Sequence, residues 1–410
     1  MAFGLTKKEL SWVLYDVGNS AFVMLSTALI PVYFASIADP GSSVVVAWGY
    51  AETVASLVLA LLMPVLGSLA DLAGNKKKFL VGFAGTGAVA CAALGVPEHA
   101  LAFLVVYVIA AIMLNGSMVF YDAFLVDATT EERYDKVSSH GYAWGYIGSC
   151  IPFIACLAVV LGGSSFGIDA KLGMKIAFII TAVWWVVFTV PVAKNVKQLH
   201  GKKRSDHVLR TTISGLKGTV KSIMKDKRLL FFMLAFFFYI DGVHTVIKMS
   251  TSYGTDLGID STQLVLALLV TQFVAFPSAI AYGNLAKHFG TKRMLKVGVL
   301  AYFFIVLFAA FFLKSAVEFW ILAICVGLFQ GGIQALSRSE YGKLIPKERA
   351  NEYYGFFDIF GKYAAVMGTF LVSAFTQLTG SSSLGVLSIA LLFIVGYLFL
   401  RAMPPMLGDS

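Results

Sequence analysis

The sequence predicts an all-α membrane protein whose twelve transmembrane helices form two parallel six-helix repeats. Three observations carry this expectation. Hydrophobic residues make up 58% of the 410 and charged residues only 13%, against about 25% charge in soluble domains. Apolar stretches of bilayer length recur from end to end, about 20 residues being needed to cross a ~30 Å hydrocarbon core. Finally, GSLADLAGNKK at 67–77 returns as GNLAKHFGTKR at 283–293. Gly67 aligns with Gly283, Gly74 with Gly290, and Lys76-Lys77 with Lys292-Arg293, and the same offset carries Glu132-Arg133 onto Glu348-Arg349. Self-similarity at half the chain length marks two copies of one unit.

In order, the spans fall at roughly 11–38, 44–70, 79–96, 100–121, 138–162 and 172–193 in the first half. Those of the second half fall at roughly 229–253, 261–286, 295–313, 316–336, 352–377 and 383–402. The halves are therefore 1–193 and 229–410, joined by a polar, basic segment at 194–228. Within that linker Val208, Leu209, Thr212, Ile213, Leu216, Val220, Ile223 and Met224 recur at helical spacing. An amphipathic helix on the inner leaflet, its lysines toward anionic headgroups, is one reading; a solvated linker is the other.

The net charge of +9 follows the membrane and carries no nucleic-acid signature. Of the 32 Lys and Arg, only Lys171, Lys175 and Lys314 fall at outer ends, and Lys248 and Lys362 lie within spans. The rest are cytoplasmic if both termini are cytoplasmic, as the positive-inside rule requires. No cleavable signal is expected, since Lys7-Lys8 ahead of a long first span makes that span its own targeting element. Cys91, Cys150, Cys156 and Cys325 sit inside spans and read as packing residues, so neither a disulfide framework nor a metal site is expected.

Ionisable groups inside a bilayer are costly and mark pathways or pairs. Spans 1, 4, 7 and 10 carry Asp16 with Asn19, Asn115 with Asp122, Asp241 with His244 and Lys248, and Gln330 with Gln334 and Arg338. Spans 2, 5, 8 and 11 carry Glu52, His140, Gln272, and Asp358 with Lys362, whereas spans 3, 9 and 12 hold no charge in their cores. This period of three implies that the first helix of each three-helix unit faces a water-filled cavity.

Asp241, His244 and Lys248 are spaced i, i+3, i+7 and share one face near the middle of their span. They read either as an internal salt bridge or as a face that titrates protons and binds substrate. Asp16 and Asn19 share a face near the start of span 1. The Arg338 fork suits either a carboxylate or an inner-leaflet anchor. Asp358 and Lys362, at i, i+4, form an intrahelical pair or a gate contact.

The basic turns imply a cytoplasmic gate. Gly67 is expected to let spans 2 and 3 approach, and Gly74 and Gly290 to permit tight reversals. Asp71 can accept from N–H groups at a helix start or pair with a basic side chain, and Lys76 belongs to the same turn. Gly283, Lys292 and Arg293 are the counterparts in the second turn.

At these residues the chain resembles the major facilitator superfamily, whose G-x-L-a-D-r-x-G-r-k turn follows span 2. Leu72 replaces the usual basic residue, and Lys287 replaces the acid in the second copy, so that turn is not expected to form the same latch. W-x-x-Y-D-x-G-N-S-x-F at Trp12–Phe22, Y-x-D-G at Tyr239–Gly242, G-G-x-Q-A-L-S-R-S at Gly331–Ser339 and G-F-x-D-x-x-G-K at Gly355–Lys362 narrow the resemblance. Together they look like the bacterial branch of the autophagy-related vacuolar amino-acid effluxer family. Asp122 stands where that family is expected to have asparagine.

The resemblance implies efflux or exchange of neutral amino acids in a bacterial cytoplasmic membrane, with no cofactor beyond an ion gradient. The partners are then a small solute and the bilayer, with the chain acting as a monomer. No nucleophile elbow, H-E-x-x-H or phosphate-binding G-x-x-x-x-G-K-[ST] occurs, so neither an enzyme nor an ATP-driven pump is expected. Two alternatives stand: movement of an anionic or lipid-linked substrate, and a non-transporting sensor with the same fold.

Overall fold

The computed structural model describes residues 2–38, 44–202 and 208–404. Among these residues the structure is helical, apart from one isolated bridge between Leu72 and Lys202. The first half of the sequence forms α1 (Lys7–Ala28), α2 (Ile30–Ile37), α3 (Val44–Ala70), α4 (Lys76–Ala93), α5 (Ala100–Ala123), α6 (Leu125–Ala128), α7 (Tyr134–Gly162) and α8 (Ala170–Asn195). Then come α9 (Val208–Lys225), α10 (Lys227–Asp256), α11 (Ser261–Phe289), α12 (Thr291–Phe312), α13 (Ala316–Leu344), α14 (Ala350–Thr379), α15 (Ser382–Ser388) and α16 (Ala390–Ala402).

Nine spans among the described residues are long and apolar enough to cross a bilayer, α15 with α16 counting as one, and α1 with α2, bent by 44°, makes a tenth. α4 and α14 complete the twelve. α4 is diluted by charge, with Lys76, Lys77 and Lys78 in its first turn.

Local chemistry explains the boundaries. Thr6 and Glu9 form a reciprocal capping box at the start of α1. Thr6 Oγ1 accepts from Glu9 N, and Glu9 Oε2 accepts from Thr6 N at 2.7 Å. Pro31 sits at the first turn of α2, where a missing N–H is tolerated and a continuous helix is not. Gly74 and Gly290 have φ of 83° and 84°, a left-handed backbone that other residues adopt at a cost.

The chain divides into two compact units that do not coincide with the sequence halves. Unit 1 comprises Met1–Thr130, Trp144–Thr212 and Lys347–Gly355; unit 2 comprises Glu131–Ala143, Ile213–Pro346 and Phe356–Ser410. In unit 1, α1 packs on α8, α4 on α5 and α8, and α3 on α5; in unit 2, α13 packs on α11 and α12, and α16 on α10 and α12. Each half thus contributes one short segment to the other half's unit. Each segment opens with a 3-10 turn, Glu131–Arg133 and Lys347–Arg349, the repeated Glu-Arg pairs of the sequence.

The two repeated glycines account for this exchange. A methyl group at Gly67 would sit 2.6 Å from the Asn351 carbonyl oxygen, and one at Gly283 would sit 2.6 Å from Ser139 Oγ. Gly67 therefore admits the 351–352 backbone, which corrects the expectation that it serves the approach of spans 2 and 3. A side chain there would hold the segment off α3.

Candidate functional site

In unit 1 the turn between α3 and α4 receives the start of α14. Asp71 is buried, and its Oδ1 accepts from the Asn351 amide at 2.9 Å and from Asn351 Nδ2 at 2.7 Å. Its Oδ2 accepts from the Glu352 amide at 3.0 Å. A carboxylate on the free N–H groups of a helix start satisfies donors that the helix cannot. Burial nonetheless pushes the Asp71 carboxyl up to about 6, outweighing the downward pull of Lys76 and of these hydrogen bonds.

Lys76, expected as a gate residue, pairs with Asp127. Its ammonium is fully buried 2.6 Å from Asp127 Oδ2, between the Ala123 carbonyl and the Phe124 ring. Asp127 Oδ1 accepts from the amides of Leu199 and His200 and faces His200 Nδ1 at 3.0 Å.

The first residues of the linker thus bind the turn directly. Gln198 Oε1 accepts from Gly74 N and Lys76 N, and Lys202 pairs its backbone with Asp71 and Ala73. Lys202 Nζ then reaches Glu352 at 2.7 Å, beside Arg349 at 2.8 Å on the same carboxylate.

Unit 2 carries the counterpart with its acid displaced. Lys287, at the Asp71-equivalent position, is exposed. The acid comes instead from Asp135 at the start of α7, which accepts from Thr291 Oγ1 at 2.8 Å, Lys343 Nζ at 2.7 Å and Ser339 Oγ. The second turn therefore has a latch, built from the opposite side. Gly283 lies against Asp135 and Ser139, and Gly290 shapes the reversal. Lys292 donates to the Met403 carbonyl and Arg293 is exposed.

Arg338 belongs to this region. It is 1% exposed, Nε and Nη2 donate to Ser138 Oγ and O at 2.9 and 3.0 Å, and its plane lies over Tyr142. A fork held this way is a structural tie and is not presented to a solute, which corrects the expectation that it offers a carboxylate site. Asp358 is half-buried; the side chain of Lys362 lies outside the described residues.

Midway along α10, Asp241 is fully buried. Its Oδ1 accepts from Thr245 Oγ1 at 3.2 Å and from the Gly368 amide at 3.0 Å, while Oδ2 has no hydrogen-bond partner. Only glycine fits at 368, since a methyl there would sit 2.6 Å from Asp241 Oδ1. His244 is half-buried and Lys248 exposed. Among the described residues Asp241 bonds to Thr245 and Gly368, and no ion pair joins it to Lys248. Two residues before Asp241, Tyr239 shares a 2.6 Å hydrogen bond with Ser337, and Gln334 is half-buried on α13.

In unit 1 the equivalent helix buries Asp16, which accepts from Tyr121 of α5 at 2.9 Å. Trp12 stacks on Tyr121 and donates to its carbonyl, and Tyr15 donates to Ser117 at 2.6 Å. Asn19 donates to the Tyr15 carbonyl, leaving Oδ1 buried without a partner. Asp122 is half-buried; the hydroxyl that reaches Asp16 comes from its neighbour Tyr121.

Sequence reasoning missed Asp127, Asp135, Gln198, His200, Lys202 and Glu352. The chain offered one signal, the repeated Glu-Arg pairs that flank the exchanged segments.

Solved structures share this fold across nearly the whole chain. The fucose transporter FucP in its outward conformation superimposes with a TM-score of 0.73 over 97% of this chain and 99% of that one, at 13% identity. The human organic anion transporter MFSD10 gives 0.70 over 96% and 98%, at 14% identity. The fold is therefore that of the major facilitator superfamily. An MFS-type transporter of Bacillus subtilis, YxiO, is 45% identical over 408 residues, covering 97% of this chain and 95% of that protein. The model of the family described as "Vacuole effluxer Atg22 like" matches residues 42–405, and the chain belongs to that family. Autophagy-related protein 22 of Cryptococcus neoformans is 26% identical over 283 residues, 63% of this chain but only 48% of that protein.

Proposed function

We propose that this transporter is a secondary active one that moves small zwitterions, neutral amino acids first among them, in exchange for or together with protons. The observation that carries the reading is Asp241. A carboxylate with one oxygen satisfied and the other buried without a partner is stable when it holds a proton or meets a cation, and transporter sites lie at mid-span. His244 and Lys248 on the same helix add a second titratable group and a cation for a substrate carboxylate. The engagement of Arg338 with Ser138 and Tyr142 removes the best anion fork from the cavity helices, which weighs against an anionic cargo.

The basic turns face the cytoplasm in this reading, with both termini inside a bacterial membrane. The Asp71 and Asp135 latches then lie at the cytoplasmic end. α14 begins in unit 1 and continues from Phe356 in unit 2. Counterflow with labelled leucine in proteoliposomes tests the cargo. Leucine exchange is expected; exchange of a phosphorylated or lipidic compound without any neutral amino acid would move the reading to the anionic class.

A further inference from the structure

Away from the turns, a third constellation sits on unit 1. The 44° bend between α1 and α2 turns Phe34 onto Trp48 of α3, with ring centroids 5.9 Å apart. Breaks in a transmembrane helix commonly border binding sites. Trp48 in turn lies 4.3 Å from the Tyr107 ring of α5, and the Tyr107 hydroxyl donates to Glu52 Oε1. Trp48 and Glu52 are i, i+4 and so share one face of α3. An indole and a carboxylate thus stand one turn apart, with a buried phenol from the neighbouring helix fixing the carboxylate.

Glu52 lies in the first third of α3, about 12 Å from the Val44 end at ~1.5 Å per residue and away from the end that carries Asp71. It is the lone charge on α3, and its side chain is exposed while Tyr107 is buried. Among the described residues no Lys or Arg pairs with Glu52. An ionised group exposed to hydrocarbon is strongly disfavoured, so this face of α3 meets water or a cationic ligand. A metal ion is a poor match, because hard cations gather six or more oxygens and this face offers one carboxylate and a phenol.

We propose that Glu52, Trp48 and Tyr107 bind the ammonium group of an organic amine, with Phe34 walling the site against its apolar substituent. The carboxylate supplies the charge, the indole face attracts the ammonium through its quadrupole, and the Tyr107 hydrogen bond fixes the carboxylate rotamer. The site rests on the reading that the cargo carries an amine, and adds a point where that amine is recognised apart from Asp241.

Isothermal titration of the protein in nanodiscs tests it with three probes: leucine, 3-methylbutylamine (leucine without its carboxylate) and 4-methylpentanoate (leucine without its amine). Leucine and the amine are expected to bind and the acid not to. Glu52→Gln should weaken both by about tenfold or more, as loss of a charge-assisted contact does. Trp48→Leu should weaken both by roughly three- to tenfold. If Glu52→Gln does not fold, Trp48→Leu and Tyr107→Phe carry the test alone. Wild-type affinity for the amine in every folded variant overturns the site and leaves the amino-acid reading standing. Failure of wild-type protein to bind either amine overturns both together.

Discussion

Acidification should tighten the Asp71 latch. The carboxyl rises from an ordinary 3.8 to about 6 because burial opposes its charge more than Asn351, Glu352 and Lys76 support it. A group whose pKa is raised in the latched state favours that state when protonated. The contribution is whole below pH 3.8 and is lost as pH rises through about 6. That interval corresponds to about 3 kcal/mol at ~1.4 kcal/mol per tenfold step, a shift on the order of 100-fold.

Asp71→Asn removes the titration. Its amide keeps an oxygen for Asn351 but turns N–H groups toward the Glu352 amide, a donor against a donor that costs about 1–3 kcal/mol. That loss is comparable to the relief from burying a charge, so the variant latch should resemble the wild type near neutral pH and ignore acid. Hydrogen exchange of the 347–356 peptide in nanodiscs reads this out, after correction for intrinsic exchange rates. Protection should rise roughly tenfold between pH 7.5 and 5 in the wild type, and stay flat in Asp71→Asn. The charged groups around the turn, Lys76, Lys202, Arg349, Glu352 and the Asp127–His200 pair, are present in both proteins; His200→Gln serves as a further control. Flat or falling protection in the wild type, or an equal rise in Asp71→Asn, would refute the reasoning.

Three further outcomes are expected. Lys76→Met leaves Asp127 buried without its ion partner and should cost about 3–5 kcal/mol, whereas Lys76→Met with Asp127→Leu should recover much of that; thermal unfolding by fluorescence-detected size exclusion measures both. Gly67→Ala drives a methyl to 2.6 Å from the Asn351 carbonyl oxygen, and Gly283→Ala drives one to 2.6 Å from Ser139 Oγ and 2.7 Å from Ser139 Cβ. Each should therefore lower the unfolding temperature by several degrees, and an unchanged temperature in either variant would contradict the exchanged-segment account. Gly368→Ala should impair transport as severely as loss of Asp241 while leaving the Asp71 latch protected from exchange.

The membrane class, the twelve-span fold and both glycine turns were legible because hydrophobic length and a repeated loop are local properties of the chain. The partners of the turns were not. Asp71 meets Asn351, Lys202 meets Glu352 and Lys343 meets Asp135 across 280, 150 and 208 residues of sequence, and no local pattern encodes such pairings. Arg338 looked like a ligand fork because a lone arginine at a span end carries no mark of the serine and tyrosine that enclose it. Lys76 was expected at the gate, but its mate Asp127 lies 51 residues away in sequence, and no local pattern names it. Glu52 was visible as a charge in span 2, but the bend at Pro31 and the reach of Tyr107 that give it a setting are tertiary facts.

The claim at the centre of this account is that Asp241 couples the movement of a zwitterion to protons. Labelled leucine in proteoliposomes, with and without an imposed pH gradient, tests it for the wild type and Asp241→Asn side by side. The wild type should accumulate leucine above equilibrium only with the gradient, and Asp241→Asn should exchange leucine for leucine without accumulating it. Gradient-driven accumulation by Asp241→Asn at the wild-type level would contradict the account.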